Sequence, residues 1–339
     1  MREFVKPALA AILLMSFLCV SAVSSPLRQD ETSPSGEPRI INIVEDFLTF
    51  WDHAQGASLR RQRRLWMRLV ENKHRDYFEK AVYRELDDFE RRILLDQFLL
   101  RVPWHIDAIR EFNETAPEVV AQGLLDFTSR FPEYQHQRDI YIGLSMFRFD
   151  GSVRPLHNDS EVPDSLCLGA ELLSEYSIPQ LQIVIVHELF HLYHFGFLMQ
   201  DINPHQLRTA HMPLMIEGMA VAGTEAVYPY ESPSLYLHFS DEALSAQEEF
   251  LAFNSRRFLR LLGEGTTPDQ YAPWFTDSIE DRVPRRGGYL LGYEVARRVL
   301  GSYNLEQMVR MRPGELREHA EEQLIQMSSD EIFLLASGN

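Results

Sequence analysis

One long apolar segment limits what this chain can fold into. From Pro179 to Met199 nearly every residue is apolar, yet the segment carries His187-Glu188-Leu189-Phe190-His191. The β-branched run Ile183-Val184-Ile185-Val186 favours a strand by local propensity. The segment is too long for one ordinary strand, Pro179 suits a helix start and Ser177 can cap it. We therefore expect a buried helix, in which the ionisable side chains need partners.

The spacing of the two histidines predicts a metal-binding pair. Residues four apart on an α-helix lie one turn apart on the same face, so the imidazoles of His187 and His191 converge. Glu188 lies about a third of a turn round the helix, where its carboxylate can reach a metal-bound water instead of the metal. Zn²⁺ is the cofactor that this arrangement predicts.

A catalytic zinc usually takes a third protein ligand, and Glu217 is the best candidate. It is the only ionisable residue in the apolar, small-residue segment from Met212 to Gly223, where an unpaired carboxylate would be costly. We expect Gly218, Ala220 and Ala222 to let this second helix pack closely against the first. Four competitors remain as weaker candidates for the third ligand position: His194, Asp201, His205 and His211.

The N-terminus has the pattern of a secretion signal. Arg2 and Lys6 precede an uncharged apolar run from Pro7 to Val23, with small residues where a signal peptidase would cut. We predict a signal peptide over residues 1–24 and a secreted or periplasmic protein, with an uncleaved membrane anchor as the alternative. The Ser/Pro-rich stretch at residues 25–39 is predicted to be a flexible linker.

Charge and cysteine content limit the partners and the disulfide bonds that we expect for this chain. The formal net charge of −17 argues against a nucleic-acid partner. Because Cys19 falls within the predicted signal, Cys167 is the only cysteine of the mature chain, so no intramolecular disulfide is expected.

Hydrophobic periodicity divides the remaining chain into two regions. Residues 40–135 show helical spacing and are predicted to form a helical N-terminal region. Residues 136–339 begin with a β-rich run at 140–149, a turn at Asp150-Gly151 and a second short strand from Leu166 to Ala170, and become mainly helical after Gln180. The predicted fold class is α+β, mainly helical.

His187-Glu188-x-x-His191 followed by Glu217-Gly218-Met219-Ala220 resembles the gluzincin group of zinc metallopeptidases. The segment Gly287-Gly288-Tyr289-Leu290-Leu291-Gly292-Tyr293-Glu294 is similar to a Gly-Tyr-rich helix start in the bacterial family described as predicted Zn-dependent proteases. The resemblance covers roughly residues 139–300. It implies a zincin-like catalytic domain within 136–339, with a small sheet, an active-site helix and a glutamate helix. Leu166 to Leu172 would form the sheet edge that borders the cleft.

The same resemblance implies a zinc metallopeptidase acting on a peptide or protein substrate. Glu188 would be the general base and His187, His191 and Glu217 the metal ligands. Tyr293 is the first candidate for the donor that steadies the oxyanion, followed by Tyr289 and then by His211 or Tyr228.

Neither a nucleic acid nor a membrane is expected as a partner, apart from the possible N-terminal anchor. Three other interpretations remain open: an inactive secreted zinc-binding scaffold, a hydrolase of a non-protein amide, and a helical interaction module in which the His-Glu-His motif is accidental.

Overall fold

The structure is a computed structural model that describes residues 38–157, 162–200, 202, 204–229, 231–263, 265–276 and 283–337. The predicted signal peptide, and the predicted linker as far as residue 37, lie outside the described residues. The described chain divides into two compact units, one ending at Glu188 and the other beginning at Leu189. The boundary predicted between residues 135 and 136 stays a prediction.

Apart from one short strand at residues 40–42, which the sequence analysis did not predict, the first part of this unit is helical, as predicted. The α-helices are α1 (Val44–Ala54), α2 (Leu59–Trp66), α3 (Arg75–Tyr77), α4 (Asp88–Arg101) and α5 (Ile106–Arg130), with π-helical turns at Met67–Glu71 and Phe78–Tyr83 and a 3₁₀ turn at Val102–Trp104. Their core is aromatic: the Trp66 indole packs edge-on against the rings of Phe50 and Phe78. Asp87 and Glu90 form a reciprocal capping box that satisfies two orphan N–H groups at the start of α4.

Four short strands form one mixed sheet in the same unit. They are β1 (Ile40–Asn42), β2 (Ile140–Gly143), β3 (Gly151–Arg154) and β4 (Ser165–Gly169), in the spatial order β1-β2-β4-β3. β1 and β4 both run parallel to β2, whereas β3 pairs antiparallel with β4, with Gly151 opposite Leu168. A mainly helical α+β architecture is therefore confirmed.

The edge of the sheet is not where the sequence placed it. The segment from Leu166 to Leu172 was expected at the edge, but β4 lies between β2 and β3, so β3 is the edge strand. The sequence does not predict β3, because this strand has only four residues, one of them glycine, and only one large apolar side chain. The apolar residues that suggested a longer strand after Gly143 lie instead in a connecting loop.

From Ala170 onward the described chain is helical. The helices are α6 (Ala170–Leu173), α7 (Ile178–Leu198), α8 (Pro204–Leu207), α9 (His211–Val227), α10 (Pro233–Tyr236), α11 (Asp241–Glu249), α12 (Leu251–Leu259), α13 (Pro268–Tyr271), α14 (Gly287–Val299), α15 (Leu305–Met308) and α16 (Pro313–Ser337), with 3₁₀ turns at Arg260–Leu262 and Ala272–Phe275.

α7 is a continuous helix despite its β-branched run. Ser177 precedes it, and the Ser177 N–H donates to the side-chain oxygen of Gln180, which closes the first turn. By length and composition α7 could cross a membrane, but 78% of that window is buried inside the protein. That burial is typical of a core helix, so tertiary packing outweighs the local strand propensity.

Small residues bring three helices together, with a different pairing from the one expected. A Cβ atom at Gly218 of α9 would overlap the backbone of Gly292 in α14, so Gly218 packs against α14 and not against α7. Close approach to α7 comes one turn later, where a Cβ at Gly223 would overlap the ring of Phe190. α7 and α9 therefore pack closely, as expected, but the close contact is at Gly223, which was not among the three residues expected to provide it.

A buried carboxylate supports the loop between β2 and β3. Met146 and Phe147 both have positive φ values, 54° and 63°. Glu171 accepts hydrogen bonds from the Phe147 N–H (2.7 Å) and the Ser145 hydroxyl (2.8 Å), so it holds this loop in place. Burial raises the pKa of Glu171, and hydrogen bonds from Phe147 and Ser145 only partly oppose the effect.

Because the pKa of Glu171 is raised in the folded protein, its contribution to stability is fully present below the unfolded-state pKa of 4.5. We predict that this contribution is lost as the pH rises through the folded-state pKa. Glu171→Gln keeps an acceptor oxygen and cannot ionise, so we expect it to match or exceed the wild type in stability at neutral pH and to remove part of this pH dependence. Glu171→Ala leaves the Phe147 N–H unsatisfied and should cost about 1–3 kcal/mol. Urea unfolding between pH 4 and 8 measures the stability of both variants. Equal stability of Glu171→Gln and Glu171→Ala would contradict the role of Glu171 as the hydrogen-bond acceptor of the loop.

Candidate metal centre

Three ligand groups converge on one face of α7. The side-chain donor atoms of His187, Glu188 and His191 all lie within 4.8 Å of one another. Glu188 and His191 are buried, and His187 is half-buried. Two imidazoles and a carboxylate this close, on a helix with little access to water, can hold a metal ion.

Glu217 lies against this group through His191. Its Oε2 is 3.4 Å from His191 Nε2, and the two side chains are only 2% and 1% exposed. Two ligand atoms about 2.0–2.2 Å from a tetrahedral zinc are about 3.4 Å from each other, so this separation fits two ligands of one ion. The carboxylate that the sequence placed in an apolar helix therefore has an imidazole for a neighbour.

Glu188 is held by the edge of the sheet. A Cβ atom added to Gly151 of β3 would lie 2.8 Å from Glu188 Cγ and 2.7 Å from Val184 Cγ1. Only a residue without a side chain lets α7 come this close to the strand. β3 therefore lies directly against the predicted base.

His194 lies deep in the same helix. It is fully buried, its ring stacks on Phe195, and neither ring nitrogen forms a hydrogen bond with any described residue. Burial lowers the pKa of His194 to about 3, with a smaller effect from His191, so the imidazole is neutral. It lies about one turn beyond His191 along α7, which agrees with its prediction as a residue of the core or a support for the ligands.

The two candidate tyrosines of α14 are buried. Burial, and after it the nearby charge of Glu225, raises the pKa of Tyr293, whose buried hydroxyl forms no hydrogen bond with any described residue. Glu225 follows Glu217 by eight residues on α9, which is about 12 Å of helix. Tyr289 packs its ring against Phe275. The role of Tyr293 as oxyanion donor stays a prediction.

Of the weaker candidates, two lie at the two ends of α9. His211 is its first residue, and burial lowers the pKa of this imidazole to about 4, assisted by the positive charge of Arg317. Tyr228 follows the last residue of α9. Asp201 and the side chain of His205 lie outside the described residues.

Sequence reasoning missed two residues of β3. Asp150-Gly151 signalled only a turn, and Arg154, which the sequence analysis did not single out, is 6% exposed. A glycine next to a strand residue can mark close backbone approach, and this was the one available signal for Gly151.

Comparisons with known proteins add no family. The chain matches no protein-family model, no curated protein and no solved structure. The interpretation of the site therefore depends on its own geometry.

The contact at Gly151 predicts that Gly151→Ala is destabilising. The new methyl group must displace Val184 and Glu188, and overpacking of this kind costs about 1–3 kcal/mol. Gly314→Ala is the matched control, because a Cβ at that position of α16 meets no atom within 4 Å. Thermal unfolding of both variants checks this; a Gly151→Ala protein as stable as the control would show that the strand does not constrain Glu188.

The His191–Glu217 distance predicts that Glu217 is a metal ligand. Glu217→Gln keeps the volume but removes the anionic donor, so zinc affinity should fall by at least about 10–100-fold, the loss typical of even the residues that support metal ligands. Glu225→Gln, on the same helix, is the control and should bind zinc as the wild type does. Competition with a chromogenic chelator measures the affinities. Unchanged affinity in Glu217→Gln would remove Glu217 from the site.

Proposed function

We propose that this protein is a zinc-dependent hydrolase of peptide bonds. His187, His191 and Glu217 would hold the metal, and Glu188 would be the general base. The observation that carries the proposal is the buried contact between Glu217 and His191, because it adds a third ligand group to the two histidines of one helical face. A structural histidine pair does not require a carboxylate at that distance.

The donor set suits zinc in its catalytic form. Two imidazoles and one carboxylate are a common ligand set of hydrolytic zinc sites, which leave a fourth position open. When bound, Zn²⁺ acts as a Lewis acid on a carbonyl group and lowers the pKa of water toward neutrality. The chain's own contribution is to place the ligands and the base on rigid, buried elements.

Glu188 is placed to move a proton. Its neighbour in sequence, His187, is a ligand, so the carboxylate lies beside the metal position and not within the ligand set. In the proposed reaction Glu188 accepts a proton from the attacking water and passes it to the leaving amine nitrogen.

The proposal includes a zincin-like arrangement of the elements around the site. An antiparallel edge strand next to the active-site helix and a later helix carrying the glutamate support it. This support is structural, and the peptide substrate itself is inferred from the resemblance of the motif.

We expect Glu188→Gln to bind zinc as the wild type does and to cleave peptides at least about 100-fold more slowly, because loss of a general base typically costs 10²–10⁴-fold. Glu171→Gln is the control, since it alters a buried carboxylate of the same unit that hydrogen-bonds a loop. Cleavage of casein and of a mixed peptide library, with and without chelator, measures the effect.

The outcomes separate the competing functions. If the wild type binds zinc but cleaves no peptide, the inactive scaffold is favoured. If it then cleaves small amides or acylated amines, the hydrolase of a non-protein amide is favoured instead. Absence of zinc binding would favour an interaction module. A Glu188→Gln protein as fast as the control would refute the assignment of the base.

A further inference from the structure

The solvent-facing side of α4 carries a row of apolar side chains, which we call the α4 stripe. Phe89, Ile93 and Leu100 are 70%, 40% and 68% exposed, and their spacing puts them within about 40° of one another around the helix. Trp104, on the 3₁₀ turn that continues α4, completes the stripe and is 72% exposed. Single exposed apolar residues are common on soluble proteins, but a contiguous row of large ones marks an interaction surface.

A strongly basic segment belongs to the same unit. Residues 59–68, which form α2 and the start of the following π-helical turn, include five arginines and no acidic residue. One of the five, Arg63, forms an ion pair with Asp96 of α4 through two hydrogen bonds. The other four are exposed and form no ion pair with a described residue: Arg60, Arg61, Arg64 and Arg68. The segment therefore presents four positive charges to solvent.

The ion pair between α2 and α4 shows that the basic segment borders the α4 stripe. Asp96 lies three residues after Ile93 and four before Leu100, so the three side chains are neighbours on one face of α4. Arg63 reaches Asp96 from α2, and Arg60 is the neighbour of Arg63 one turn earlier. The stripe and the arginines therefore form one continuous surface within a single compact unit.

Acidic residues limit this surface at one end. Asp87, Asp88 and Glu90 surround the first turn of α4, and the carboxylates of Asp87 and Glu90 accept hydrogen bonds from backbone N–H groups in the capping box. Phe89 lies in this turn, so it is at the margin of the surface. The centre is the remainder of the stripe together with the arginines beside it.

We propose that this surface docks the protein on an anionic lipid bilayer, with the α4 stripe at the boundary between headgroups and acyl chains and the α2 arginines on lipid phosphates. The proposal goes beyond peptide hydrolysis and does not depend on it. An apolar helix face with a tryptophan and flanking arginines is typical of segments that lie in the membrane interface.

Charge favours a bilayer over a second copy of this chain. The protein has a net charge of −17, so the basic segment is a local exception, and it is complementary to an anionic surface. A second copy would bring another basic segment to the same interface, where like charges oppose association.

The sequence analysis expected no membrane partner apart from the possible N-terminal anchor. Apolar residues at helical spacing ordinarily predict the buried face of a helix. In α4 the structure buries a different set, Leu95, Phe98 and Leu99, and leaves the stripe in solvent. A net charge summed over the chain likewise conceals a local group of arginines, so only the fold reveals this surface.

Tryptophan fluorescence tests this proposal directly. Trp104 is exposed, whereas the other three tryptophans are buried: Trp51, Trp66 and Trp274. Vesicles made with brominated phospholipid quench only a tryptophan that touches the acyl chains. The full chain is mixed with such vesicles of phosphatidylcholine, with or without phosphatidylglycerol. We expect quenching and a blue shift with the anionic vesicles, little change with the neutral ones, and weaker quenching at high salt.

Variants assign the binding to this surface. Arg60→Gln combined with Arg64→Gln should weaken partition into anionic vesicles by about 10–30-fold, since each arginine near such a surface contributes a factor of about five. Leu100→Asn should weaken it by about tenfold. The controls Leu125→Asn, about 28 Å along α5 from its first residue, and Arg298→Gln, exposed on α14, should bind as the wild type does. All these side chains are exposed, so the thermal midpoints should not change.

The result separates this surface from other causes of binding. An N-terminal anchor shared by all variants can hold the protein on vesicles, but binding that leaves Trp104 unquenched would overturn the proposal. Equal quenching by neutral and anionic vesicles, or undiminished quenching in Leu100→Asn, would also overturn it. Dimerisation that Leu100→Asn abolishes, without quenching by lipid, would show that a second copy covers the stripe instead. Neither metal nor substrate is needed, so failure of this proposal and failure of the hydrolase proposal are distinguishable.

Discussion

The structure depends on the cost of burying ionisable groups in an apolar helix. α7 lies almost wholly inside the protein and carries two imidazoles and a carboxylate on neighbouring positions. Burying such groups without partners is costly, and His194 of the same helix, which forms no hydrogen bond with a described residue, is kept neutral by its burial. α9 brings Glu217 to His191, and β3 passes close to Glu188.

Close packing makes these contacts possible. Glycines remove side chains where backbones must approach: Gly151 next to Glu188, Gly218 next to Gly292, and Gly223 next to Phe190. Each contact leaves little room for adjustment, because protein interiors are packed about as densely as organic crystals. The candidate ligand groups are carried by two helices, elements that hold a site more rigidly than loops do.

The sequence by itself determined the α7 motif, the apolar setting of Glu217 and the mainly helical class with a small sheet. These features are local: helical spacing, an HExxH pattern and one charge in an apolar run can be read without knowing the fold. Only the tertiary structure decided that β3 is the edge strand, that Gly218 packs on α14, that Glu217 touches His191 and that Arg154 is buried. Those contacts join residues far apart in the chain, and a four-residue strand or a single arginine carries no periodic signal that would reveal its partners.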